Sequence, residues 1–190
     1  MNLLNKRFKI GTLISESGCS KETAEKWQTL YSTFKELDPD SFRNGRMNYG
    51  WVQTMLCQLS NGLFQKGGQG NGLPDFWFDG DRWGETKAYE LGNLKDFHVA
   101  ASSFFASNAK VPEHKRLLAE NPDKAKAFLF EHSYDKNDYY LLTSTSALKC
   151  DFSEIEMIFI EKKTLVDCLT ASSNFKQVSI DKLLTKVTNV

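Results

Sequence analysis

The chain has 190 residues, 41% of them apolar, and its 24 basic and 24 acidic residues cancel. This size predicts a single domain over residues 1–190 with a sizeable core, and the charge balance excludes a surface that attracts nucleic acid everywhere, while a local basic cleft stays compatible with it. No stretch approaches the roughly 18 apolar residues of a membrane span, and four scattered cysteines without a CxxC pair exclude a recognisable zinc or disulfide framework. We therefore expect a cytoplasmic protein that makes no membrane contact.

Two amphipathic helices are predicted first. Apolar residues recur at helical spacing in a segment over residues 20–38, which begins with Ser20 as the candidate cap. A second helix is expected from Met47 to Ser60, ended by Asn61-Gly62. The polar loop between them holds Arg43, Asn44 and Arg46.

A glycine-rich segment, FQKGGQGNGL, then leads into two predicted strands, Phe76–Phe78 and Trp83–Leu91, around an Asp-Gly-Asp turn. The remaining elements are expected in the following order: a helix from Phe97 to Asn108, a short helical stretch in PEHKRLLAE, strands in KAFLFEHS, YYLLTST and EIEMIFI, and two short helices in TLVDCL and SIDKLLTKV. The order of helices, a strand group, a helix and further strands predicts an α/β (α+β) domain.

The stretch PDFWFDGDRWGETK, residues 74–87, gathers charged residues on two neighbouring apolar strands. Because side chains alternate along a strand, Glu85 and Lys87 are expected on one face, and Asp75 is expected across the hairpin from them. Two carboxylates suit Mg²⁺, which proteins usually hold through one or two carboxylates together with phosphate oxygens. The alternative is an ordinary hairpin in which the charges form a solvated pair.

Asp75 after Pro74, followed by Glu85-Thr86-Lys87, resembles the PD-(D/E)XK motif of the restriction-endonuclease-like nucleases. The order of predicted elements over about residues 47–160 is similar to the α-β-β-β-α-β core of that superfamily, a central mixed β-sheet flanked by helices. The resemblance implies that Asp75 and Glu85 are metal ligands together with the backbone carbonyl of Thr86, and that Lys87 is the catalytic lysine. The helix before the motif carries Gln53 and Gln58 but no acidic residue, which departs from many members.

A single-domain chain of this size resembles a type II restriction endonuclease. The resemblance implies a homodimer that hydrolyses phosphodiester bonds of double-stranded DNA at specific sequences, with Mg²⁺ as the cofactor. The alternatives are a repair, phage or toxin nuclease of the same fold, a non-catalytic nucleic-acid-binding module and an enzyme acting on a small metabolite. For the metabolite enzyme the sequence offers no phosphate-loop or nucleophile motif.

Two polar segments are candidate DNA contacts. Gln65, Lys66 and Gln69 in the glycine-rich segment could reach the phosphate backbone, and Arg43, Asn44 and Arg46 could contact phosphates or base edges, since Arg and Asn make bidentate pairings with guanine and adenine. The alternative for both segments is a solvated polar loop.

Overall fold

In a computed structural model of the chain, residues 2–38, 48–68, 73–89, 96–98, 110–132, 137–144, 150–168 and 177–190 are described. The helices are α1 (Ile10–Ser17), α2 (Lys21–Leu37), α3 (Asn48–Leu59), α4 (Val111–Glu120), α5 (Pro122–His132), α6 (Lys162–Asp167) and α7 (Ile180–Leu184). The strands are β1 (Lys6–Lys9), β2 (Phe64–Lys66), β3 (Phe76–Phe78), β4 (Arg82–Tyr89), β5 (Asp96–His98), β6 (Tyr139–Ser144), β7 (Glu156–Glu161), β8 (Gln177–Ser179) and β9 (Thr188–Asn189).

The chain divides into two compact units that are built from alternating segments. Unit 1 comprises residues 1–91, 137–161 and 187–190, and unit 2 comprises residues 92–136 and 162–186. The prediction of one domain over residues 1–190 stays a prediction.

Unit 1 is an α/β structure built on a seven-stranded mixed sheet in the order β2-β3-β4-β6-β7-β1-β9. The strands β2, β3 and β4 form an antiparallel meander, and β6 then lies parallel to β4. On its other side β6 is antiparallel to β7, which pairs with β1 in the same sense. The predicted hairpin therefore lies inside the sheet, with β4 hydrogen-bonded on both sides.

Helices α1, α2 and α3 share a hydrophobic core with one face of this sheet. The core residues include Leu13, Tyr31, Met55, Phe64, Phe76, Leu141 and Phe159, all of them buried. Aromatic edge-to-face contacts tie the strands together here: the Phe64 ring lies 5.5 Å from Phe76 and 5.2 Å from Phe159, a separation typical of stabilising aromatic pairs. On the opposite face of the sheet Tyr140, Leu142, Ile158 and Ile160 are also fully buried.

Helix α2 begins as its sequence pattern predicts, but only part of its apolar face is buried: Trp27 and Tyr31 are buried, whereas Leu30, Phe34 and Leu37 are exposed. Ser20 Oγ accepts a hydrogen bond from the Thr23 amide at 3.1 Å and so caps the helix. Trp27 fixes α2 against α3, because its Nε1–H donates to Gln58 Oε1 at 2.7 Å and its ring lies 6.1 Å from that of Trp51. The predicted amino-terminal helical segment thus belongs to unit 1.

Unit 2 contains helices α4 to α7 and a two-stranded antiparallel sheet of β5 and β8. An ion pair of 2.6 Å between Lys126 and Asp167 joins its two chain segments. His114 on α4 is buried beside the Phe128 ring, and burial lowers the pKa of its imidazole to about 4.

Two element predictions were wrong. The segment KAFLFEHS is not a strand: it lies in α5, where the Asn121 side chain accepts from the Lys124 amide, Pro122 occupies the first helical position, and Ala125 and Leu129 bury one face at helical spacing. Phe97 and His98 lie in strand β5 and not in a helix, while residues 99–108 of that predicted helix lie outside the described residues.

Several other elements agree with the sequence. The strands in YYLLTST and EIEMIFI and the helices in PEHKRLLAE, TLVDCL and SIDKLLTKV are present as β6, β7, α4, α6 and α7. In the portion of the chain that the structure describes, no helix combines the length and apolar character that crossing a membrane requires.

Candidate functional site

The predicted site residues lie just before β3, at Asp75, and in the middle of β4, at Glu85, Thr86 and Lys87. Strand β3 pairs with β4 in the register Phe76 opposite Gly84, and the Asp75 amide donates to the Gly84 carbonyl at 3.0 Å. Asp75 therefore lies one residue before the paired strand, alongside the Glu85-Thr86-Lys87 segment.

Glycines let the backbones approach closely at this point. A Cβ atom on Gly84 would lie 2.1 Å from the Phe76 ring, and one on Gly67 would lie 1.9 Å from the Pro74 carbonyl oxygen. The Gly67 amide also donates to the Asp75 carbonyl at 3.0 Å. The first part of the glycine-rich segment thus packs against Pro74 and Asp75 and holds them in place.

Thr86 binds the Asp75 carboxylate with two donors. The Thr86 amide lies 2.8 Å and its hydroxyl 2.7 Å from Asp75 Oδ2. Thr86 is 2% exposed, and the Nε2 of Gln53 on α3, 7% exposed, lies 3.4 Å from the same hydroxyl. The Asp75 carboxylate is therefore fixed from β4 and, through Thr86, from α3.

Glu85 and Lys87 form an ion pair of 2.5 Å between Oε1 and Nζ. The side chains are 25% and 18% exposed, so the pair is only partly solvated. Asn137, just before β6, donates to the other oxygen of Glu85 at 3.4 Å. The expected neighbourhood of Glu85 and Lys87 is observed, and Asn137 joins it.

The backbone carbonyl of Thr86 points to the β3 side of β4. Along β4 the Trp83 carbonyl accepts from the Asp138 amide, on the β6 side, and the Gly84 carbonyl accepts from the Asp75 amide, on the β3 side. Because the N–H and C=O groups of one strand residue point to the same neighbouring strand, the Thr86 carbonyl shares the side on which its amide binds Asp75.

The donors of this site suit a hard divalent cation. Asp75 and Glu85 offer carboxylate oxygens and Thr86 a carbonyl oxygen, which are the ligand types of Mg²⁺. Among the described residues no group of three or more His, Cys, Asp or Glu side chains comes together, so a metal here would depend on two carboxylates, backbone and water. The residues present fit that set.

Of the residues predicted to contact DNA, two lie among the described residues and four do not. Gln65 and Lys66 are exposed on β2, the end strand of the sheet, with Lys66 opposite Phe76 in the register. Lys66 thus lies on the strand next to β3, directly opposite the first residue of β3. Arg43, Asn44, Arg46 and Gln69 lie outside the described residues.

Two contributors were not recognised in the sequence as part of the site. Gln53 lies on an apolar helix without acidic residues, and its signal in the sequence is that a buried amide requires a hydrogen-bond partner. Asn137 lies in a polar segment that reads as ordinary surface, and no sequence signal distinguishes it.

Comparisons with protein-family models, with curated proteins and with solved structures gave no match to this chain.

Proposed function

We propose that the chain is a Mg²⁺-dependent endonuclease that hydrolyses phosphodiester bonds of double-stranded DNA, acting as a homodimer and cutting at specific sequences in the manner of a type II restriction enzyme. The observation that carries the proposal is that Thr86, which binds the Asp75 carboxylate, lies in β4 between the ion-paired residues Glu85 and Lys87. The element order supports it as well: α3, the meander β2-β3-β4, the helices α4 and α5 and the parallel strand β6 follow the α-β-β-β-α-β order of the PD-(D/E)XK nucleases.

Each residue has a distinct role in this proposal. Asp75, Glu85 and the Thr86 carbonyl would hold the cation, which when bound supplies activation of water and charge stabilisation at the phosphate. Lys87 keeps its ammonium beside Glu85 in the free protein, where it balances a carboxylate charge. With substrate present the same ammonium can donate hydrogen bonds to phosphate oxygens as negative charge develops on them.

DNA contacts beyond this centre are assigned to exposed side chains. Lys66 and Gln65 on β2 are proposed to contact the phosphate backbone, which fixes the position of the duplex without reading its sequence. Arg43, Asn44, Arg46 and Gln69 are retained as candidate contacts from the sequence.

The test is cleavage of a long duplex DNA by the purified protein in Mg²⁺ and in EDTA. Asp75→Asn and Lys87→Met keep the approximate side-chain shape and remove one charge each, and we expect both to lower the cleavage rate by orders of magnitude. Asp81→Asn is the matched control, because Asp81 is an exposed carboxylate in the turn between β3 and β4. Discrete fragments that need Mg²⁺ support sequence-specific cutting, whereas a smear with the same dependence favours a repair or toxin nuclease.

A non-catalytic nucleic-acid-binding module is the second candidate. One observation favours it: the two oxygens of Glu85 already accept from Lys87 and Asn137, so its charge is compensated by protein groups alone. This candidate predicts DNA binding that EDTA does not change, with intact DNA under all metal conditions.

A further inference from the structure

The hydrogen bonds to Asp75 all fall on one of its two carboxylate oxygens. Oδ2 accepts from the amide and from the hydroxyl of Thr86, at 2.8 and 2.7 Å. A carboxylate oxygen offers about two lone-pair positions, so these two donors occupy Oδ2. Within the described part of the chain no donor reaches Oδ1, which leaves that oxygen for a cation.

The Thr86 hydroxyl is itself held in one orientation. It has a single proton, which it donates to Asp75, so the amide of Gln53 must be the donor in the contact of 3.4 Å between Gln53 Nε2 and Thr86 Oγ1. Both side chains are buried, where a hydrogen-bond chain running in one direction is strengthened by its neighbours. Gln53 and Thr86 thus form a donor relay from α3 to Asp75.

This relay has a consequence for metal choice. Mg²⁺ requires near-octahedral coordination at short distances and takes few protein oxygens, whereas Ca²⁺ takes six to eight and readily binds a carboxylate through both oxygens. If Oδ2 is occupied by Thr86, Asp75 cannot offer both oxygens to one ion. We propose that the Gln53–Thr86 relay makes Asp75 a one-oxygen ligand and thereby sets the preference of the site for Mg²⁺ over Ca²⁺.

The proposal rests on the metal-dependent function proposed above and names Gln53 and Thr86 as positioning residues. They act through Asp75, and neither side chain touches the cation.

The experiment is calorimetric titration of Mg²⁺ and of Ca²⁺ into the full chain without DNA. In the variant Thr86→Val the hydroxyl donor is lost while the amide donor remains. We expect the Mg²⁺ affinity to fall by about 10–100-fold, the range found for groups that orient metal ligands, and the Ca²⁺ affinity to fall less, so that the ratio of Mg²⁺ to Ca²⁺ affinity falls. Thr86→Ser restores the hydroxyl and should restore the ratio. Gln53→Met should change the ratio in the same direction as Thr86→Val, and by less.

Thr143→Val is the matched control. Thr143 on β6 is 6% exposed. Its side chain lies on the same face of the sheet as that of Thr86, because Thr86 pairs with Leu141 and Thr143 follows Leu141 by two residues on the same strand. Its hydroxyl has no hydrogen-bond partner among the described residues. This control removes a buried hydroxyl without touching Asp75, so the affinity ratio should not change.

The outcomes separate the two proposals. If the unmodified protein binds Mg²⁺ and cleaves DNA while Thr86→Val and Gln53→Met keep its affinity ratio, the relay has no role in metal choice and only this inference is overturned. If the unmodified protein neither binds a cation nor cleaves, the proposed function falls and the inference falls with it. Thermal unfolding followed by circular dichroism confirms that each variant is folded at the titration temperature.

Discussion

The Glu85–Lys87 ion pair lies where water reaches it only in part. Fully exposed pairs contribute about 0–1 kcal/mol, whereas removing one partner of a buried pair costs about 3–5 kcal/mol because the other charge is left uncompensated. With side chains 25% and 18% exposed, this pair lies between those limits. Its charges therefore matter for stability as well as for the proposed chemistry.

A double-mutant cycle on Glu85 and Lys87 tests whether the contribution of this pair to stability lies between the exposed and buried limits. We expect Lys87→Met to lower the free energy of unfolding by about 1–3 kcal/mol, because the partly buried Glu85 carboxylate then loses the ammonium that compensates its charge. The pair Glu85→Gln with Lys87→Met should cost less than the sum of the two single changes. Urea unfolding followed by tryptophan fluorescence measures all four proteins, and additive costs would show that the pair is effectively solvated.

The residues of the site differ in how far the sequence could reveal them. Glu85 and Lys87 could be placed on one face because alternation along a strand is a local rule. Asp75 could be placed across from them because a short turn joins the two strands of the hairpin. Gln53 and Asn137 lie 33 and 52 residues from their partners, so their contacts depend on how helices and strands pack, which local patterns do not determine.

The pairing of β3 with β4 is the element on which the site depends. Phe76 is fully buried between Phe64 and Phe159, and its ring lies over the position where Gly84 has no side chain. The same pairing places Asp75 beside Thr86. The packing of one phenylalanine on one glycine thus links the core to the candidate site.

We expect Gly84→Ala to destabilise unit 1 by about 1–3 kcal/mol, the usual cost of inserting a methyl group into a packed core. The added Cβ would lie 2.1 Å from the Phe76 ring, so the ring or the strand has to move. Combining Gly84→Ala with Phe76→Leu removes ring atoms at that point and should cost less than the sum of the two changes. Urea unfolding gives the three values, and full additivity would contradict the steric explanation.

Elements with a clear hydrophobic period could be predicted from the sequence, whereas elements whose conformation depends on pairing or packing with other segments could not. Helix α2 carries its apolar stripe and its cap within one segment. Strand β2 has three residues at the start of a glycine-rich segment and gains its strand conformation from pairing with β3. The apolar run in α5 has no clean alternation, and the helix is determined by its Asn121-Pro122 start and by burial of Ala125 and Leu129.

At the scale of the whole molecule, the chain passes twice from unit 1 into unit 2 and back. Residues 92–136 leave after β4 and return before β6, and residues 162–186 leave after β7 and return before β9. Within unit 2 the two segments meet in the β5–β8 pair and in the Lys126–Asp167 ion pair. Each segment is thus held at both ends by strands of the sheet, which lowers the entropy that its pairing costs.

This connectivity predicts that the two units unfold together, as a single domain over residues 1–190 requires. All four tryptophans (Trp27, Trp51, Trp77 and Trp83) lie in unit 1, so their fluorescence reports its unfolding. Cys168 in unit 2 is fully buried, and burial raises the pKa of its thiol to about 11, so a thiolate-specific reagent at pH 8 should reach it only after unfolding.

The measurement uses the variant Cys19→Ser, Cys57→Ala and Cys150→Ala, which leaves Cys168 as its one thiol. Across a urea series we expect the tryptophan transition and the onset of Cys168 labelling to share one midpoint, because unit 2 loses the ends that hold its segments together when the sheet opens. All three substitutions lie in unit 1, so their cost is measured by comparing the tryptophan transition of the variant with that of the unsubstituted protein. Labelling at a urea concentration well below the fluorescence midpoint would show that unit 2 opens by itself and that the chain is two domains.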